Sequence, residues 1–231
     1  GLLGIKVSED GSKGTVVEVN IETDFAAKNE KFIAYVDEVL EAAFAAGAND
    51  VASIMAGDLD AKRESLVQEI GENITVRRAA SLETADGFVT SYVHSDNRKA
   101  VLVELDKADE ELGRDLAMHI TAINPMVVTS AEVPDDVLAK EREIYSSQAA
   151  ESGKPADIVE KMVEGRVRKF LAEVSLVDQP FVKDGNVKVS QLLKDKGNAC
   201  RRFVRFEVGE GIEVEEQDFA AEVAAQVQGL D

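Results

Sequence analysis

"VEVNIETDFAAKNEKFIAYV", residues 17–36, changes character half-way along. Val16, Val17, Val19 and Ile21 are β-formers, so residues 14–21 read as a strand. Glu22-Thr23-Asp24 ends the strand, and the large aromatic Phe25 follows. From Phe32 the apolar positions are 32, 33, 36, 39, 40, 43 and 44, one face of a helix that Gly47 ends. The turn between has two readings. In the first it is local: Asp24 or Asn29 caps the helix, and Phe25 staples its first turn by packing on a residue such as Ile33. In the second it is an exposed loop that offers a partner's pocket an apolar wedge with a negative charge beside it.

Outward from this stretch the elements alternate. A second helix is expected over 58–70, with Asp58 as its N-cap and Gly71 at its left-handed end. Strands are expected at 74–83, 88–94 and 100–106, joined into an antiparallel meander by Asp86-Gly87. A helix over 108–123 follows, with His119 on its apolar stripe, and Asn124-Pro125 stops it. Two helical patterns, 135–151 and 155–175, are joined by Ser152-Gly153-Lys154-Pro155. In the second, Val163, Val167, Phe170 and Val174 follow a 4-3-4 spacing that suits a coiled-coil seam. Strand-like segments resume at 176–177, 181–182 and 199–208, around a short helix at 191–196. Phe219, Val223 and Val227 then mark an amphipathic tail helix over 215–227. "NITVRRAASLE" (73–83) is echoed by "NACRRFVRFE" (198–207), and "VVEVN" (16–20) by "LVELD" (102–106). The expected fold is therefore α+β. It has two related halves with antiparallel sheets and helices, an inserted helical hairpin forming a short coiled coil, and a C-terminal helix. The expected boundaries are 1–87 for the first half and 88–126 with 177–211 for the second. The hairpin takes 127–176 and the tail module 212–231.

Composition narrows the function. Forty-five acidic against 26 basic residues give a net charge of -19, a field that repels phosphate backbones and argues against direct nucleic-acid binding. Arg77-Arg78, residues 166–169 and Arg201-Arg202 are basic clusters, read as salt-bridged surface. The lone Cys200 excludes an internal disulfide and a zinc ribbon, and fits a reducing compartment. No apolar run approaches the ~18 residues of a membrane span. There is no nucleophile elbow, phosphate-binding glycine loop or zinc-protease motif, and no calcium-loop spacing of carboxylates. His119 reads as a satisfied packing histidine, and His94 alone proves nothing. No cofactor or metal is expected, and a binding protein is favoured over an enzyme.

"NIETDFAAKNEKF" resembles the signature of the elongation factor Ts family, with Ala26 where the family writes valine. "ENITVRRAA", "KADEELGRDLAMHI", "SGKPADIVEKMVEGRVRKFLAEVSLVDQPFV" and "RFEVGEGIEVEEQDFAAEVAA" resemble the same family's bacterial form, collinearly over nearly the whole chain. The resemblance implies a cytoplasmic guanine-nucleotide exchange factor for elongation factor Tu, in its GDP-bound and nucleotide-free states. A homodimer or a 2:2 complex is left open. It implies that Asp24 and Phe25, with Ala26 and Ala27, enter the partner near its magnesium site. Ile70, Gly71 and His94 would line the same face, and Val182 would touch the partner's β-barrel region. The tail helix with Phe219 would pack on the nucleotide domain, and the hairpin would be a dimerisation subdomain. The family's small N-terminal helical module is not in this sequence, which begins at Gly1 without methionine and is expected to be trimmed. The rival reading is a coiled-coil scaffold or adaptor without exchange activity; an enzyme using unrecognised carboxylate chemistry comes third.

Overall fold

The computed structural model describes residues 1–47 and 49–212, so the expected tail helix and Phe219 lie outside the described residues. In chain order the strands are β1 (Leu2–Val7), β2 (Lys13–Ile21), β3 (Ile74–Glu83), β4 (Phe88–Val93), β5 (Lys99–Leu105), β6 (Pro180–Phe181), β7 (Asp184–Lys188) and β8 (Cys200–Glu207). The helices are α1 (Glu30–Ala46), α2 (Val51–Ile54), α3 (Leu59–Ile70), α4 (Glu110–Ile123), α5 (Asp135–Ala150), α6 (Ala156–Val174) and α7 (Val189–Asp195). Two three-stranded antiparallel sheets form, ordered β1-β2-β3 and β4-β5-β8, beside the small β6-β7 ribbon.

The halves are related residue by residue. Adding 86 to the first ladder gives the second: Leu2–Val19 becomes Phe88–Leu105, and Val7–Gly14 becomes Val93–Ala100. Lys13 pairs with Glu83 in β3, as Lys99 pairs with Glu207 in β8. The fold is α+β, with helices on the outer face of each sheet. Val17, Val19 and Ile21 face Phe32, Val36, Val39 and Leu40 of α1. Val101, Val103 and Leu105 face Leu112, Leu116 and Ile120 of α4. Alternate residues point the other way. Leu3, Val16 and Leu82 of the first sheet pack on Val89, Ala100, Leu102 and Phe206 of the second. Gly14 lets the sheets close: a Cβ there would come within 2.8 Å of Val89 and 2.9 Å of Leu102.

Two carboxylates sit in this inter-sheet layer. Glu18 is 0% exposed and Glu104 3%. The register shifts after each of them. Glu18 opposes Arg78 and Val19 opposes Val76, so Arg77 is the extra residue of a β-bulge. Glu104 opposes Arg202 and Leu105 opposes Cys200, so Arg201 is the extra residue of the other. A bulge turns two successive side chains toward one point. Arg77 Nη1 reaches Glu18 Oε1 at 3.0 Å and Arg78 Nε binds Oε2; Arg202 Nε binds Glu104 Oε2, with Arg201 Nη1 3.5 Å from Oε1. Each set then crosses to the opposite sheet. Arg78 Nη2 donates to the Glu207 carbonyl at 2.9 Å, and Arg202 Nη2 to the Glu83 carbonyl at 2.8 Å. Burial alone would raise the Glu18 pKa. The Gly209 N–H, Asn20 and the two arginines outweigh it and hold the carboxyl below its usual range.

Several expectations need correction. The 74–106 strands are not one meander: β3 is an edge of the first sheet and β4 an edge of the second. Residues 84–87 change layers instead of making a two-residue hairpin, tied by Thr84 N–H to the Ser12 carbonyl and Gly87 N–H to Thr84 Oγ1. β1, unmarked in the sequence reading, is a full strand. Asp58 stands at the N-cap of α3 without capping it; its carboxylate faces Lys62 at 3.1 Å. The hairpin seam does not follow 163-167-170-174. Val159, Val163, Val167 and Leu171, spaced by four, meet Leu138, Tyr145 and Ala149 of α5. Phe170 instead lines a surface groove with Tyr145, Arg166 and Glu173.

Removing a buried ionic partner leaves the opposing charges uncompensated. Glu18→Ala should cost about 3 kcal/mol, read from urea unfolding. Glu104→Ala should cost less, because Arg201 keeps Asp86 at 2.6 Å and Asp106. Equal losses would show that the two carboxylates do not differ in this way.

Candidate functional site

The link from strand to helix is much longer in the first half than in the second. The N-caps are Asn29 for α1 and Asp109 for α4, each accepting a backbone N–H. Lys107 stands 86 residues after Ile21, and only Ala108 separates it from Asp109. Residues 22–28 fill the same gap in the first half. The surplus is the Thr23–Lys28 turn.

This turn is tightly made. Ala26–Lys28 form a 3-10 turn, with Ala26 and Ala27 buried against the α1 core. Ala27 N–H donates to the Thr23 carbonyl at 3.1 Å, and Ala26 N–H to Thr23 Oγ1 at 3.1 Å. The two small side chains let the turn sit down on the core, and Phe25 between Asp24 and Ala26 is left facing outward at 87% exposure. The stapling alternative is thereby corrected. Asn29, not Asp24, caps α1, its Oδ1 2.8 Å from Lys31 N, and Ile33 is itself exposed.

Asp24 pairs with Arg98 Nη1 at 2.8 Å, although its side chain remains 78% exposed. Arg98 ends the turn joining β4 to β5, so this contact joins the two halves. In that turn His94 Nδ1 lies 3.0 Å from Asp96 Oδ1, and Asp96 Oδ1 accepts the Arg98 N–H at 2.9 Å. The Arg98 N–H and His94 together hold the Asp96 carboxyl below its usual pKa. Asp24, Ala27, Lys28 and Ile33 face Ser95, Asp96 and Arg98 across a cleft of about 520 Å³. Ile70 and Gly71 end α3, and the next residue, Glu72, binds Thr23. Thus the turn of Asp24 to Ala27 is held from two sides, by Glu72 next to Ile70-Gly71 and by Arg98 in the turn that begins at His94. Arg98 and Glu72, which hold it, were not singled out from sequence; nothing in the order of residues ties either to position 23 or 24.

Val182 stands elsewhere. It is exposed at the turn between β6 and β7, and its N–H donates to His119 Nδ1 at 3.1 Å. Nδ1 therefore carries no proton, and Nε2 donates to Gln179 Oε1 at 2.8 Å. His119 is a packing histidine with a further task, holding the Phe181-Val182 turn. Among the described residues no cluster of His, Cys, Asp and Glu suits a metal ion, and no helix is long and apolar enough to cross a membrane.

Burial lowers the His119 pKa below its usual 6.5, the Gln179 bond opposing. Unfolded chains take up that proton near pH 6.5 and the native fold only lower. Stability is thus whole above pH ~6.5 and declines as pH falls toward the native value. The Val182 amide should lose hydrogen-exchange protection over that range. Protection unchanged down to pH 5 would contradict this.

Comparison with known proteins agrees with the resemblance seen in the sequence. Residues 22–210 match the family model described as elongation factor TS. The elongation factor Ts of Hahella chejuensis is 56% identical over 99% of this chain and 79% of its own length. Those of Saccharophagus degradans and Cellvibrio japonicus are 55% and 54% identical, each over 98% of this chain and 78% of theirs. This chain belongs to the elongation factor Ts family.

Proposed function

We propose that this chain promotes release of GDP from elongation factor Tu in translation elongation, with Phe25 as a wedge and Asp24 acting near the partner's magnesium ion. The observation that carries the reading is a phenyl ring left 87% exposed on a turn whose neighbouring alanines are buried. A ring without intramolecular packing keeps its full burial energy for a partner. That energy is about 1.5–3 kcal/mol, less the cost of association.

Exchange is a linkage problem: the factor binds the nucleotide-free partner better than the loaded one, and nucleotide displaces the factor in turn. A thousand-fold faster release needs a barrier lower by about 4 kcal/mol. One ring does not reach that figure, so contacts at Val182, Ile70-Gly71 and Phe219 contribute the remainder. For Asp24 to approach the metal shell it must leave Arg98. The pair is exposed, so separation costs only about 0–1 kcal/mol.

Stopped-flow release of a fluorescent GDP tests both residues. Phe25→Ala should slow release by about 10- to 100-fold, matching the lost burial, yet leave measurable exchange. An unchanged rate rejects the wedge. Asp24→Ala should lose more activity in magnesium than in chelator, and equal losses argue against a role at the metal.

A further inference from the structure

We infer that Glu72 is a positioning residue for exchange, holding the Thr23–Phe25 turn in the shape that presents the ring. The inference rests on the wedge reading above and adds how the wedge is kept in place. Both carboxylate oxygens of Glu72 are used on Thr23. Oε2 accepts its N–H at 2.9 Å and Oε1 its hydroxyl at 2.7 Å. With its hydrogen committed to Glu72, Thr23 Oγ1 turns a lone pair to the Ala26 N–H at 3.1 Å. The Thr23 carbonyl accepts from Ala27 N–H in addition. Thr23 is therefore the hub of the turn, and Glu72 fixes the hub. Glu22 Oε1 accepts the Asn73 N–H at 3.1 Å, so residues 22–23 and 72–73 are stitched in both directions.

The aim of Glu72 is set by the residue before it. Gly71 adopts φ 81°, and its N–H closes α3 on the Val67 carbonyl at 2.8 Å. A side chain at this left-handed position would be strained, although nothing crowds the space around it. Ile70-Gly71 thus acts on the wedge through Glu72. The ring has no neighbour to orient it, so its direction is set by the backbone of the turn. A loop ordered before docking loses less freedom on docking.

The test titrates each protein against elongation factor Tu loaded with fluorescent GDP. Glu72→Ala should raise the half-saturating concentration about tenfold, with little change in the maximal release rate. Glu72→Gln, whose amide oxygen still accepts one bond, should recover most of the loss. Thr23→Val, which removes the hydroxyl with its bonds to Glu72 and the Ala26 N–H but keeps the shape, should reproduce much of the defect and serves if Glu72→Ala does not fold. In a Phe25→Ala background Glu72→Ala should add almost nothing, since it acts through the ring. An unchanged half-saturation, or full additivity in the double variant, overturns the inference. If Phe25→Ala alone leaves release unchanged, the wedge fails and positioning for exchange fails with it. The clamp is then read separately from Ala26 and Ala27 amide exchange, which Glu72→Ala should accelerate; unaltered protection removes the clamp as well.

Discussion

Two carboxylates closed between two sheets organise this molecule. Glu18 and Glu104 are buried, and each is met by a pair of adjacent arginines that a bulge turns to the same side. Burying a charge is tolerable only when it is paired and hydrogen-bonded. Here the pairing also fixes architecture, because the arginine beside each carboxylate donates to a carbonyl of the opposite sheet. The apolar layer between the sheets attracts without direction. The crossed arginines add direction, setting which residues of one sheet stand over which residues of the other. Arg78 also lies over the Phe206 ring, 4.2 Å from its centre, so charge and apolar packing share one contact.

With the halves locked, a difference between them becomes usable. The second half goes from strand to helix through a short link. The first inserts Thr23–Lys28 at the same place, and the inserted turn reaches the β4–β5 turn of the other half through Asp24 and Arg98. One copy of the unit carries the protruding ring, and the other supplies part of the wall beside it. Glu72 belongs to the first copy and Arg98 to the second, so both sides of the seam hold the turn.

Much of this was legible in the sequence. The change of period across residues 17–36 marks β2 and α1, and Asn29 and Gly47 close the helix as their residue types suggest. The paired echoes of Glu18 with Glu104 and of Arg77-Arg78 with Arg201-Arg202 disclose the repeat. The same arginines are salt-bridged, as their composition suggests; that their glutamate partners are buried was not legible, because it depends on sheet stacking, which no local pattern records. β1 was missed although Leu3, Ile5 and Val7 alternate, because the run is only six residues long and carries Gly4 in its middle. The meander failed because a four-residue span can turn back on one sheet or step to the next, and only the inter-sheet layer decides. At the candidate site, Asp24 and Phe25 were found as a motif. Glu72 and Arg98 were not, since their partners lie 49 and 74 residues away.

The hairpin has an apolar core of its own and leaves the body at a narrow stem. Val127 bridges Ser175 in parallel; Met126 N–H donates to the Val174 carbonyl at 2.8 Å, and Leu176 N–H to Val127 at 2.9 Å. Entry and exit therefore run side by side at roughly the 4.8 Å spacing of neighbouring strands. Such a stem is a natural splice point. Any module whose two ends meet at that distance, a fluorescent reporter for instance, can be grafted there with the chain on either side already in register.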